Sequence, residues 1–278
     1  MTKIQIISYI NKIKQRGEEV MKKVGLTLLS CALLFGAAGC AQKEDATKDT
    51  KKEQEKIVVA TAPDNAPFAY KENGKLTGFD TELIKALAKK EDIDVQWKEM
   101  KFNGMIPALQ SQQVDAAVAA MTINDERKKV VNFAGPYFDS GLVLVTKTDS
   151  SIKKLEDLKG KTIVAKQGSS GLAKAQELAN KYGAKVKILE DEATLYMDVQ
   201  KGGSDALIND HPFVAAKIKS GTASGLHIVG EKLTGEQYGI AITKDNEELL
   251  KEFNKDLKEM KENGEYQKLY EKYFGTSK

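Results

Sequence analysis

Residues 119–129 read Ala-Ala-Met-Thr-Ile-Asn-Asp-Glu-Arg-Lys-Lys, which places one arginine, Arg127, in the first turn of a helix that starts where an apolar run ends. Thr122, Asn124 and Asp125 are all helix-capping types, so the first free N–H groups are expected just past the carboxyl end of a strand over 115–121. An arginine is electrostatically unfavourable at that position because the helix macrodipole is already positive, and its presence points to a bound anion. A guanidinium fork matches a carboxylate in two parallel hydrogen bonds. Read alone, the segment fits equally well a surface arginine paired with Asp125 or Glu126.

Two further constellations carry potential chemistry. Lys166-Gln167-Gly168-Ser169-Ser170-Gly171 follows an apolar run and precedes helical spacing at Leu172, Ala175, Leu178 and Ala179, so its N–H groups are available to an anion, most naturally a carboxylate. The spacing of the Walker and dinucleotide fingerprints is missing, and an ordinary capping turn is the alternative. Asp210 closes the strand pattern at 206–210, where open α/β sheets place ligand contacts, although it also suits a plain cap of the helix opened by His211-Pro212. Phe102, beside Asn103-Gly104, reads as a packing residue. No nucleophile and base stand in a recognisable arrangement, so no catalytic residue is assigned.

The elements that must position these residues alternate. Strand patterns at 56–61, 94–98 and 115–121 are interleaved with helical spacing at Leu83, Ile84, Leu87 and Ala88 and again from Met105 to Gln112, which predicts an α/β fold with parallel sheets. The pattern of a helix followed by "Asp-Ala-apolar" occurs at Asp115-Ala116 and returns at Asp205-Ala206, which predicts two similar lobes. A linking helix is expected over 151–158. Tyr266, Tyr270, Tyr273 and Phe274 recur at helical intervals and read as core.

At 278 residues the chain has room for two domains. A net charge of +3, with both signs interspersed, argues against a nucleic-acid partner. The only cysteines, Cys31 and Cys40, fall in an apolar leader and the only histidines, His211 and His227, are far apart, so no disulfide, metal or cofactor is expected in the body. From Met21 onward, Lys22-Lys23, an apolar run and Gly-Ala-Ala-Gly-Cys40 form a secretory signal. Met21 reads as the true start. Residues 41–56 have no large apolar residue and read as a flexible tether.

Taken together, Ala60-Thr61 with Pro67-Phe68, Gly78-Phe79-Asp80, Met105-Ile-Pro-Ala-Leu109, Thr122 with Glu126-Arg127, Lys166-Gln-Gly-Ser-Ser-Gly171 and Gln237-Tyr-Gly-Ile-Ala241 resemble the polar amino-acid family of solute-binding proteins of ABC importers. The resemblance runs from about residue 57 to 274. It implies a two-lobed, type II periplasmic-binding-protein fold with a hinge of two crossing strands, near 137–141 and 234–238. The implied lobes are 57–138 plus 239–278, and 139–238. Ala37-Ala38-Gly39-Cys40 resembles a lipobox, which implies lipid attachment at Cys40 after removal of residues 1–39. The expected setting is the outer face of the membrane of a Gram-positive bacterium, with the protein a monomer serving ABC permease subunits.

The same resemblance implies roles for residues. Arg127 would hold the α-carboxylate of a free L-amino acid, helped by Thr122 and by N–H groups around Ser169 and Ser170. Asp210 would pair with the α-ammonium, completed by the Ala120 carbonyl and the Thr122 hydroxyl. Phe102 would form one aromatic wall, and the usual second wall falls at Asn65. Lys166 would reach the far end of the ligand and repel a cation, which favours glutamine, with glutamate second and arginine or cystine returning if Lys166 is solvated. The rivals from other classes are a dehydratase of similar fold, which needs a general acid or base such as His211, and a sensory module, which needs a second membrane span.

Overall fold

A computed structural model describes residues 55–276, so the leader, Cys40 and nearly all of the expected tether lie outside the described residues. In chain order the elements are β1 (Lys56–Thr61), β2 (Asp64–Asn65), β3 (Ala69–Glu72), β4 (Lys75–Thr77), α1 (Phe79–Lys90), β5 (Asp94–Glu99), α2 (Met105–Gln110), β6 (Ala116–Ala117) and α3 (Asp125–Lys128). They continue with β7 (Asn132–Ser140), β8 (Leu142–Lys147), β9 (Thr162–Lys166), α4 (Ser170–Tyr182), β10 (Lys185–Leu189), α5 (Glu192–Gln200), β11 (Ala206–Asp210), α6 (His211–Lys219), β12 (Leu226–Val229), β13 (Glu236–Ile242), α7 (Glu247–Glu262) and α8 (Glu265–Phe274).

These strands form two five-stranded sheets, β5-β1-β6-β13-β7 and β10-β9-β11-β8-β12, beside a small β2-β3-β4 sheet. Each large sheet is covered on both faces, and the strands show it by alternation. Ile57 and Val59 of β1 enter one apolar cluster with Phe79, Leu83 and Phe253, while Val58 and Ala60 face a second with Met105 and Leu109. In the second sheet Ile163 and Ala165 pack on the α4 side and Val164 on the α5 side. A period of two with both parities apolar is what a doubly buried strand requires.

The sheets are mixed rather than parallel as expected. β13 is antiparallel to β6 and β7, and β8 is antiparallel to β11 and β12. The reason lies in the crossing segments: β7 passes straight through Gly141 into β8 of the other sheet, and the chain returns from β12 to β13 alongside it. Gly141, at φ 154°, admits this crossing, since a Cβ there would stand 2.2 Å from the Thr234 carbonyl oxygen.

The repeated Asp-Ala pattern has a direct physical meaning. Asp115 exchanges two hydrogen bonds with Val58 of β1, accepting from its N–H at 2.7 Å and donating to its carbonyl at 2.8 Å. Asp205 makes the same pair with Thr162 of β9, at 2.8 and 2.9 Å. In both sheets an aspartate thus sets the register of two parallel neighbours, β6 against β1 and β11 against β9.

Other expectations shift. The helix expected over 151–158 is only a 3-10 turn, Leu155–Leu158. The aromatic residues of α8 are half-buried and pack against the edge of the first cluster instead of filling it.

Candidate functional site

The strand expected to run to Met121 ends at Ala117. Ala120 turns into the left-handed region at φ 48°, and its N–H is taken at 2.7 Å by the fully buried Asp80 carboxylate, which also accepts from the Tyr137 hydroxyl at 2.8 Å. Burial pushes the Asp80 carboxyl up to about 7, against the pull of those two hydrogen bonds. Asp80 stands in the Gly78-Phe79-Asp80 motif, whose role was not legible as site chemistry. It fixes the bend that aims the Ala120–Thr122 backbone.

Beyond the bend, Asn124 rather than Thr122 caps α3, accepting from Arg127 N–H at 2.9 Å. The two neighbouring acids leave Arg127 alone: Asp125 pairs with Lys128 and Glu126 with Lys129. The Arg127 side chain turns inward and is buried, donating to the Thr122 carbonyl at 2.6 Å and to the Gly168 carbonyl at 3.0 Å, with its guanidinium carbon 5.4 Å from the Phe102 ring centre. Burial lowers its pKa, while the charges of Asp210 and Glu236 hold it up. No ion-pair partner is found for it among the described residues. A guanidinium so placed retains donors for an incoming anion.

Asp210 occupies the N-cap position of α6 but does not cap it. Its Oδ1 accepts from the Tyr238 hydroxyl at 2.8 Å, with the Ser140 hydroxyl at 3.2 Å. Burial pushes the carboxyl up to about 7, aided by the negative charges of Glu236 and Glu192 and opposed by the Tyr238 and Ser140 hydrogen bonds. A cation arriving beside it would reverse that shift.

Arg127 and Asp210 line one cleft together with Asn65, Phe102, Ala119, Ala120, Thr122, Lys166, Ser169, Ser170, Glu192, Asn209 and Phe213. Every residue expected from the sequence to line a ligand site is present. Ser169 is the N-cap of α4, and Ser170 begins that helix, so its N–H has no carbonyl of its own helix to bond. Thr122 and Ser170 direct their hydroxyls elsewhere: each lies 2.8 Å from Glu236 Oε2. The Thr122 proton is thus committed to Glu236, while its oxygen keeps lone pairs that can accept from an ammonium.

At the far end, Lys166 is buried rather than solvated, its Nζ 2.8 Å from Asp64 Oδ2, 3.7 Å from Glu192 Oε2 and 5.8 Å from the Phe102 ring centre. Glu192 also accepts from the Asn209 amide at 2.6 Å, and burial raises its pKa against the pull of Lys166. Asp64 Oδ1 and Asn65 Oδ1 are buried without a hydrogen-bond partner among the described residues. Glu192, Asn209 and Phe213 were not legible as site residues, because their only local signals are those of a helix start, a strand and an apolar face. His211 is not among the residues lining the cleft, and its pKa is lowered by burial and by Lys232.

Two sheets joined by crossing strands, with a buried cation and a buried anion facing one cleft, define a two-lobed type II solute-binding fold. The chain belongs to the bacterial extracellular solute-binding proteins, family 3, whose family model matches residues 57–276. It is 38% identical over 259 residues to the arginine-binding extracellular protein ArtP of Bacillus subtilis, covering 93% of this chain and all of that protein. Among solved structures it resembles an ancestral arginine-binding protein bound to arginine, at 44% identity and TM-score 0.75, covering 79% of this chain and 98% of the other. An ancestral arginine-binding protein bound to glutamine matches at 44% identity and TM-score 0.74, covering 80% and 98%.

Proposed function

We propose that this chain captures a polar L-amino acid outside the cytoplasm and delivers it to the membrane subunits of an ABC importer. The observation that carries this reading is the buried Arg127 lining the same cleft as the buried Asp210, neither with an ion-pair partner among the described residues. A zwitterion supplies one opposite charge to each. The lobes would be 57–138 plus 239–278 and 139–238, the ligand bridging them so that closure follows binding. Lipidation at Cys40 and action as a monomer complete the reading.

The ligand's side chain is where geometry adjusts the expectation from sequence. Once Arg127 and Asp210 are assigned to the α-groups, two acids, Asp64 and Glu192, face one lysine. Lys166 is paired with them and is not available to a glutamate side chain. Asn65 Oδ1, buried in the cleft wall without a hydrogen-bond partner among the described residues, calls for an N–H donor at the ligand's far end. Arginine meets both the donor demand and the excess negative charge. Glutamine, the first choice from the sequence, meets the donor demand alone and stands second. Calorimetry of the purified body against the twenty L-amino acids tests this: arginine should bind tightest, with glutamine measurable and glutamate weaker than both. Glutamate binding tightest would overturn the side-chain assignment, and twenty blanks would overturn the function.

A further inference from the structure

Glu236, the first residue of β13, lies where the second crossing segment enters the sheet. Its Oε2 receives the Thr122 hydroxyl, from the loop after β6, and the Ser170 hydroxyl, from the first residue of α4, each at 2.8 Å. The two hydroxyls stand 3.3 Å apart, and Thr234 approaches the other carboxylate oxygen at 3.3 Å. One carboxylate therefore ties together the first sheet's binding loop, the second sheet's helix start and the crossing segment. Glu236 is not among the residues that line the ligand cleft; with Asn124, Thr234 and Gly235 it lines a neighbouring hollow that shares Thr122 and Ser170 with the cleft.

We propose that Glu236 is a positioning residue for capture: it clasps Thr122 and Ser170 across the cleft and holds their main chain in place for the ligand's carboxylate without touching the ligand. Proton counting supports this. Each hydroxyl has a single proton, and both protons are within reach of the same Glu236 oxygen, which leaves the anion to Arg127 and to main-chain N–H groups such as that of Ser170. The three groups meet only when the two sheets are drawn together, so the clasp belongs to the closed form and slows its opening. Two charge-assisted hydrogen bonds are the stronger kind.

The inference rests on the proposed amino-acid function, and the tests separate the two. In stopped-flow and calorimetry with the tightest amino acid, Glu236→Ala should raise the dissociation rate and Kd about tenfold while the association rate stays within about twofold. Glu236→Gln, which keeps a neutral acceptor oxygen, should fall between, and guards against a folding defect in the alanine variant. Ser170→Ala keeps its N–H but loses the clasp, so combining it with Glu236→Ala should add less than about a twofold further loss. Multiplying losses, or an unchanged dissociation rate, would overturn the clasp. If no amino acid binds the wild type, the functional reading falls and the clasp is judged by small-angle scattering of ligand-free protein. There, Glu236→Ala should be more extended than wild type, and identical profiles would overturn it.

Discussion

Asp210 is a buried carboxyl with no ion-pair partner among the described residues, and burial pushes its pKa up to about 7. A ligand ammonium favours the ionised form, so below pH 7 binding must expel a proton from the free protein. Affinity should therefore be flat just above pH 7 and fall by up to about tenfold per unit as pH drops below it. Asp210→Asn should bind weakly and lose the slope. Calorimetry between pH 5 and 8 checks this, and a pH-independent Kd in the wild type would show that Asp210 does not face the ammonium.

At the scale of the element, the binding loop departs from β geometry at one alanine. Ala120 sits at φ 48°, a conformation that costs a residue with a Cβ about 1–2 kcal/mol and that glycine adopts freely. The Asp80 hydrogen bond to its N–H holds it there. Replacing Ala120 by glycine relieves the strain but loosens the unfolded chain by about 0.4–1 kcal/mol, so stability should hold or rise by up to about 1.5 kcal/mol. Ala119→Gly, at a neighbouring residue without positive φ, should instead lose about 0.5–1 kcal/mol. Denaturant melts of the two variants compare them directly. A clear loss in Ala120→Gly would mean that its side chain, buried against the first cluster, matters more than its backbone.

For the molecule as a whole, Asp80 and Asp210 both titrate near 7 in the fold, against about 4 in an unfolded chain. A raised folded pKa means that the folded state keeps protons the unfolded chain has lost. Their contribution to stability is complete below the unfolded value and disappears as pH rises through 7. Carboxylates lowered by lysine partners, such as Glu82 and Asp198, act in the opposite sense and weaken the fold as pH falls through their own range. The ligand-free protein should therefore melt highest at mildly acid pH, and Tm should fall from pH 6 to pH 8. Saturating ligand ionises Asp210 in the complex and should flatten that decline, as calorimetric scans with and without ligand would show.

Much of this was readable in the linear chain because it depends on local chemistry. The two-face alternation of β1 and β9, the two register-setting aspartates Asp115 and Asp205, and the arginine inside a helix start are each written in a few consecutive residues. The six ordered motifs, spread along the whole body, carried the family and with it Arg127 and Asp210. What the sequence could not determine involves partners far apart in the chain. Lys166 reads as a cation facing the ligand, with Asp64 a partner the sequence offers but cannot place, until folding brings Asp64, 102 residues earlier, against its Nζ. Thr122 reads as a hydroxyl free to donate until Glu236, 114 residues later, takes its proton and leaves it an acceptor. Asp80 reads as part of a helix start until it reaches Ala120 across 40 residues. A charge or a hydroxyl has no fixed role until its neighbours are known, because its protonation and its single donor are set by whatever it meets in the closed fold.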